Sequence, residues 1–149
     1  MNKRNIILIG MPGAGKSSVG VILAKVLGYE FIDTDLVIQH REKRLLREII
    51  ADEGNEGFLA IENEVNATLE ADKSVIAPGG SAIYGKEAME HFKEIGTIVY
   101  LKLSYEDLAK RLGNLKGRGV VLKEGQTLKD LYDERSKLYE PVSYTHLRA

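Results

Sequence analysis

The chain has 149 residues, of which 44% are hydrophobic and 29% charged, so one domain can bury roughly two thirds of the unfolded surface around a single core. Cysteine is absent, which excludes disulfides and thiolate-zinc sites and is compatible with a reducing compartment. A net charge of -1 supplies no basic field for nucleic acid.

"MNKRNIILIG" carries a few positive residues and then an apolar run too short for a signal-peptide core or a membrane span. Ile6 to Ile9, bounded by Gly10, reads instead as a parallel strand buried on both faces. Val19, Ile22, Leu23, Val26 and Leu27 then recur at helical spacing until Gly28 stops them. "YEFIDTD" predicts a short strand ending in acids. Helical patterns follow at Leu36 to His40, Leu45 to Ala51 and Phe58 to Leu69. Next come a strand "SVIA", a helix "KEAMEHFKEI", a strand "TIVYLKL", and a helix Tyr105 to Leu112 capped by Ser104. Residues 113–126 hold four Gly and three basic residues without periodicity and read as a loop, before a last helix over Thr127 to Tyr139. Strands alternating with helices predict an α/β domain with a parallel sheet of four to five strands and helices on both faces.

Gly10 to Ser17, "GMPGAGKS", fits G-x-x-x-x-G-K-[ST] in full, between a buried strand and a helix as that motif requires. Such a loop turns backbone N–H groups of Gly13, Ala14, Gly15 and Ser18 onto phosphate oxygens at the positive end of a helix. Lys16 is placed to neutralise the β and γ phosphates, and the Ser17 hydroxyl to bind Mg²⁺. "SVIAPGG" has no acid to support the metal, whereas Asp33 and Asp35 end the second strand. Two apart in an extended segment, they would project to one side at the carboxyl edge of the sheet. Asp33 is assigned to the metal and Asp35 to an acceptor hydroxyl; the alternative is that both are acids capping a following helix.

With these residues in view the chain resembles the shikimate kinases. The motifs that carry the resemblance are "GMPGAGKS", "FIDTD", "EGNEGFLAIE", "PGGSA", "VYL", "GRGVV" and "ERSKLY", which together run from residue 5 to about 141. The resemblance implies a P-loop, three-layer cytoplasmic enzyme, taken as a monomer, that moves the γ-phosphoryl of ATP to shikimate with Mg²⁺ in aromatic amino-acid biosynthesis. It further implies that Lys16, Asp35 and Arg118 are catalytic and that Arg111 and Arg118 flank the nucleotide. Gly79, Gly80, Asp35 and Arg135 would line the acceptor, Arg135 gripping its carboxylate. Taken alone, Arg135 interrupts the stripe Leu128, Leu131, Leu138, so it points inward and needs an anionic partner, either substrate or a protein carboxylate. Arg118 reads equally as a closing or a solvated loop residue, and Arg111 as a surface helix residue. A kinase for another small alcohol and a nucleotide-binding module without turnover are the rival readings.

Three positions depart from the family pattern. Leu59 stands where the family has a second Arg on the carboxylate, and shares a helix face with Glu62, Asn63 and Asn66, which predicts that it faces the substrate. Ser81 replaces the third Gly of a triplet, and Gly119 replaces a Pro after the lid Arg. His40, His91 and His146 show no ligand spacing and read as surface residues; Tyr132 and Tyr139 read as packing. Finally, one codon choice for Val142 to Ala149, "VSYTHLRA", matches the transposase-end adapter of sequencing libraries. The kinase domain is therefore expected over residues 1–141, incomplete at its C-terminal end, with 142–149 translated from adapter. The alternative is a natural tail that alternates like an edge strand.

Overall fold

The computed structural model describes the backbone of residues 4–113, 125–143 and 145–148, and the side chains of residues 4–111 and 125–143. Strand β1 is Asn5–Ile9, followed by α1 (Lys16–Leu27), β2 (Glu30–Asp33), α2 (Thr34–Glu42) and α3 (Leu46–Ala67). Then come β3 (Ser74–Ala77), a 3₁₀ turn (Gly80–Tyr84), α4 (Lys86–Ile95) and β4 (Gly96–Lys102). The chain continues through α5 (Tyr105–Gly113), α6 (Leu128–Val142) and β5 (Thr145–Arg148). The strands form one parallel sheet in the order β2-β3-β1-β4-β5, with Ile7 paired to Ile76 on one side and Ile98 on the other.

Alternation along the strands builds two layers of core. Leu8, Val75 and Val99 are buried beneath α1 with Ala24, while Ile7, Ile9, Ile76, Ile98 and Tyr100 pack on the opposite side with Met89, Phe92, Leu131 and Tyr139. Right-handed crossovers account for this arrangement: β1 to β2 runs leftward through the order and every later connection runs rightward, so α1 covers one face and α4, α5 and α6 the other, while α2 and α3 pack on each other in a separate cluster.

The helical face expected for α1 is only partly the buried one: Val19 and Leu23 pack against the core. Ile22 and Val26 are 64% and 76% exposed, whereas Gly20 and Ala24 are buried. Small residues win because the helix lies close on the sheet: a Cβ at Gly20 would stand 2.5 Å from Phe31 Cε1. The expected helices Leu45 to Ala51 and Phe58 to Leu69 are joined into α3 across a break at Gly54, whose φ of 75° lies in the left-handed region. Strand β2 stops at Asp33, so Asp35 sits in the first turn of α2 rather than in an extended segment. The inward stripe of α6 is Leu131, Arg135 and Tyr139, four residues apart; Leu138 is exposed. His91 is half-buried, with Nε2 2.6 Å from the Leu69 carbonyl oxygen, so it bridges α4 to the end of α3 instead of lying on the surface. Strand β5 forms from part of the segment that the sequence reading assigns to adapter, and the His146 side chain lies outside the described residues. Among the described residues no helix is long and apolar enough to cross a membrane.

Candidate active site

One cavity of about 610 Å³ opens at the carboxyl ends of β1, β2 and β3. The carboxyl edge of a parallel sheet is where α/β folds bind ligands. Its nucleotide side is the turn from β1 into α1, where Gly13, Gly15, Lys16, Ser17 and Ser18 all line the wall. Gly15 caps α1 in the left-handed region, with φ 95°, and as glycine makes no side-chain cap bond to the first N–H groups of the helix. They therefore point at the cavity with the helix dipole behind them, as a phosphate site requires. Lys16 Nζ donates to the carbonyls of Gly10 at 2.6 Å and Met11 at 3.0 Å, which hold the ammonium inside the loop. Ala14 is the exception among the predicted loop residues: its side chain is buried in the core, and its N–H donates to the Met11 carbonyl.

Asp33 and Asp35 line the same cavity. Asp33 Oδ1 accepts the Asp35 N–H at 2.9 Å, so Asp33 caps α2, the alternative role named above, while it also borders the cavity. Arg111 reaches across from α5 to donate to the Gly13 carbonyl at 3.2 Å, and it too lines the cavity, which is more than the surface-helix alternative provides. Arg118 and Gly119 lie outside the described residues.

The opposite wall is built by Pro78, Gly79, Gly80, Ser81 and Arg135. Arg135 is fully buried, with its guanidinium carbon 5.4 Å from the centre of the Tyr84 ring. The start of the 3₁₀ turn needs glycine at Gly80, because a Cβ there would stand 2.6 Å from Pro12 Cδ and 2.8 Å from Arg135 Nη1. Tyr139, read from sequence as packing, also fixes this loop, since its hydroxyl donates to the Gly80 carbonyl at 2.6 Å.

The loop, the paired acids and a buried arginine thus converge on a single cavity. The model of the shikimate kinase family matches residues 12–149. This chain belongs to the shikimate kinase family. Shikimate kinase 2 of Yersinia enterocolitica is 34% identical over 98% of this chain and 87% of its own length. Among solved structures, a shikimate kinase from Acinetobacter baumannii in complex with shikimate matches with a TM-score of 0.87 and 34% identity, over 97% of this chain and 83% of that one. The shikimate kinase of Aquifex aeolicus matches with a TM-score of 0.76 and 30% identity, over 97% and 85%.

Against that family, two of the three departures have a physical reading here. Leu59 does not line the cavity; it packs against the cluster of Ile38, Ile49, Phe58 and Val65, contrary to the expectation that it faces the substrate. Glu62, one turn further along α3, takes that place. The kinase buries Glu62 to 1% exposure, and the Ser81 hydroxyl donates to its Oε1 at 2.6 Å. Burial drives the Glu62 pKa up to about 7, with Asp35 adding to the rise while the Ser81 hydrogen bond, Arg135 and Lys16 oppose it. Glu62 was not assigned a role from sequence. Its signal is a carboxylate four residues after Phe58, on a helix face that otherwise enters the core.

Proposed function

We propose that the protein transfers the γ-phosphoryl of ATP to a hydroxyl of shikimate, giving shikimate 3-phosphate in aromatic amino-acid biosynthesis. The observation that carries this reading is that a P-loop, the Asp33 and Asp35 pair, and buried Arg135 line one cavity.

In this reading the cavity wall from Gly13 to Ser18 takes the phosphates, with Lys16 as the cation that follows charge onto the transferring group. Ser17 and Asp33, which both line the cavity, are the residues that would hold Mg²⁺, Ser17 directly and Asp33 through water, as suits a metal that takes most ligands from phosphate and water. Bound Mg²⁺ supplies charge neutralisation at the phosphate oxygens. Asp35 orients the acceptor hydroxyl and takes its proton. Gly79 and Gly80 let the acceptor approach the backbone, and Arg135 takes its carboxylate as a charge-assisted pair. Arg111 flanks the nucleotide, and Arg118, outside the described residues, is assigned the same role. The net charge of -1 supports a small-molecule enzyme that works without nucleic acid, and we read it as a cytoplasmic monomer without a membrane partner. The same proposal sets the kinase domain at residues 1–141, with 142–149 derived from adapter, and reading the codons for 142–149 in genomic DNA tests that boundary.

One observation favours a second reading, a kinase of this family for another small alcohol. Leu59 packs away from the cavity, so Arg135 is the cation on the acceptor wall among the described lining residues. The test follows ATP consumption with shikimate, gluconate, homoserine and no acceptor. Shikimate-dependent turnover that drops roughly 10²–10⁴-fold in Asp35→Asn is expected. Turnover with another alcohol alone overturns the substrate and keeps the chemistry.

A further inference from the structure

Glu62 is a buried carboxyl on the acceptor side of the cavity with only half of its hydrogen-bonding capacity used. Ser81 occupies Oε1 at 2.6 Å, while Oε2 has no hydrogen-bond partner among the described residues. The carboxyl also stands close to the proposed base: a Cβ on Gly79 would lie 3.1 Å from Glu62 Oε2 and 2.8 Å from Asp35 Oδ1. Two carboxyls facing one loop residue cannot both ionise cheaply, and an orphaned buried oxygen needs a partner.

The chemistry of that partner is narrow. An anion is repelled by Asp35 and has Arg135 as its natural counter-charge on the same wall. An apolar group leaves the orphan unsatisfied. A neutral hydroxyl satisfies the orphan oxygen by accepting from the protonated Glu62 carboxyl, and it adds no charge beside Asp35. Here Ser81 and Leu59 become parts of one arrangement. Leu59 puts no cation beside Glu62, and Ser81 supplies the bond that fixes the carboxyl.

We propose that Ser81 and Glu62 together form a subsite for an acceptor hydroxyl next to the one that Asp35 orients, Glu62 meeting the hydroxyl and Ser81 positioning the Glu62 carboxyl. This rests on the shikimate reading and gives the acceptor two adjacent hydroxyls, each with its own acid. The charged groups acting on Glu62 are Asp35 from α2, Arg135 from α6 and Lys16 from α1; α4 meets α3 through the Ala88 N–H, which donates to Asn63 Oδ1. Their balance with burial leaves Glu62 titrating at about 7. Protonated, it donates to the hydroxyl. Ionised, it adds a second negative charge beside Asp35, so acceptor affinity falls as pH rises through 7.

The experiment measures shikimate binding by calorimetry from pH 5.5 to 8.5, alongside a ¹³C titration of the Glu62 carboxyl in the ligand-free protein. For the unaltered protein the shikimate Kd is expected to rise about tenfold per pH unit above the Glu62 midpoint. Glu62→Gln, which keeps a donor and cannot ionise, removes that slope. Ser81→Ala moves both the carboxyl midpoint and the Kd inflection to higher pH, because the Ser81 bond favours the ionised form. A shikimate analogue without the hydroxyl beside the phosphorylated one binds without the slope. An inflection that persists in Glu62→Gln, or in the deoxy analogue, overturns the subsite; so does a carboxyl midpoint unmoved in Ser81→Ala. Shikimate failing to bind at every pH overturns the substrate reading instead.

Discussion

Glu62→Gln is also expected to stabilise the ligand-free protein at neutral and alkaline pH, by an amount that the buried carboxyl sets. Glu62 titrates at about 7 in the fold against 4.5 in the unfolded chain. Between those values the folded state holds a proton that the unfolded state has released, so folding stability falls as pH rises. The slope is about 1.4 kcal/mol per pH unit, and roughly 3 kcal/mol is lost across the whole interval. Below the unfolded value both states are protonated and the full contribution is present; above 7 it is gone. Glutamine keeps the volume and an oxygen for the Ser81 hydroxyl, and does not titrate, so the variant escapes this loss. For a domain of this size the difference corresponds to roughly 6–12 °C in Tm. Urea or thermal unfolding of both proteins at pH 5, 6, 7 and 8 reads it directly: the variant's advantage should grow up to pH 7 and level off beyond. A difference that stays constant with pH refutes the reasoning, because Glu62 is then in one protonation state throughout.

Two further substitutions probe the acceptor wall. Gly80→Ala places a methyl against Pro12 and Arg135, so it should cost about 1–3 kcal/mol of stability and raise the shikimate KM more than it lowers kcat, checked by unfolding and initial rates. An unchanged KM means that Arg135 does not bind the acceptor. Leu59→Arg inserts a charge into the cluster of Ile38, Ile49 and Phe58 and should lower stability by about 1–3 kcal/mol. A fall in KM without loss of Tm would show that position 59 borders the acceptor after all.

Much of the fold was legible because its signals are local. Gly10 to Ser17 lies between an apolar run and a helix, and β3 and α4 fall where "SVIA" and "KEAMEHFKEI" predict them. What periodicity misread was tertiary. On α1 the larger residues Ile22 and Val26 read as core, yet the helix lies so near the sheet that Gly20 and Ala24 are its fully buried residues, with Val19 and Leu23 packed at their sides. Placement was legible where the sequence constrains it locally, as for Lys16 in the loop after β1 and Arg135 on the inward side of α6. Leu59 and Glu62 are a helical turn apart, and assigning their faces required knowing where α3 meets the 3₁₀ turn.

That turn also explains why Leu59 and Ser81, far apart in sequence, bear on one problem. With Leu59 in the apolar cluster, the α3 face toward the cavity presents Glu62 and brings no cation with it. A carboxylate buried there without compensation would cost several kcal/mol. Two responses are open to such a group: to accept strong hydrogen bonds, or to stay protonated. The fold uses both, through the 2.6 Å bond from Ser81 and through burial that lifts the titration to neutrality. Restoring glycine at position 81 removes the first and pushes Glu62 further toward the second, so the two departures are linked by the ionisation of a residue that neither replaces.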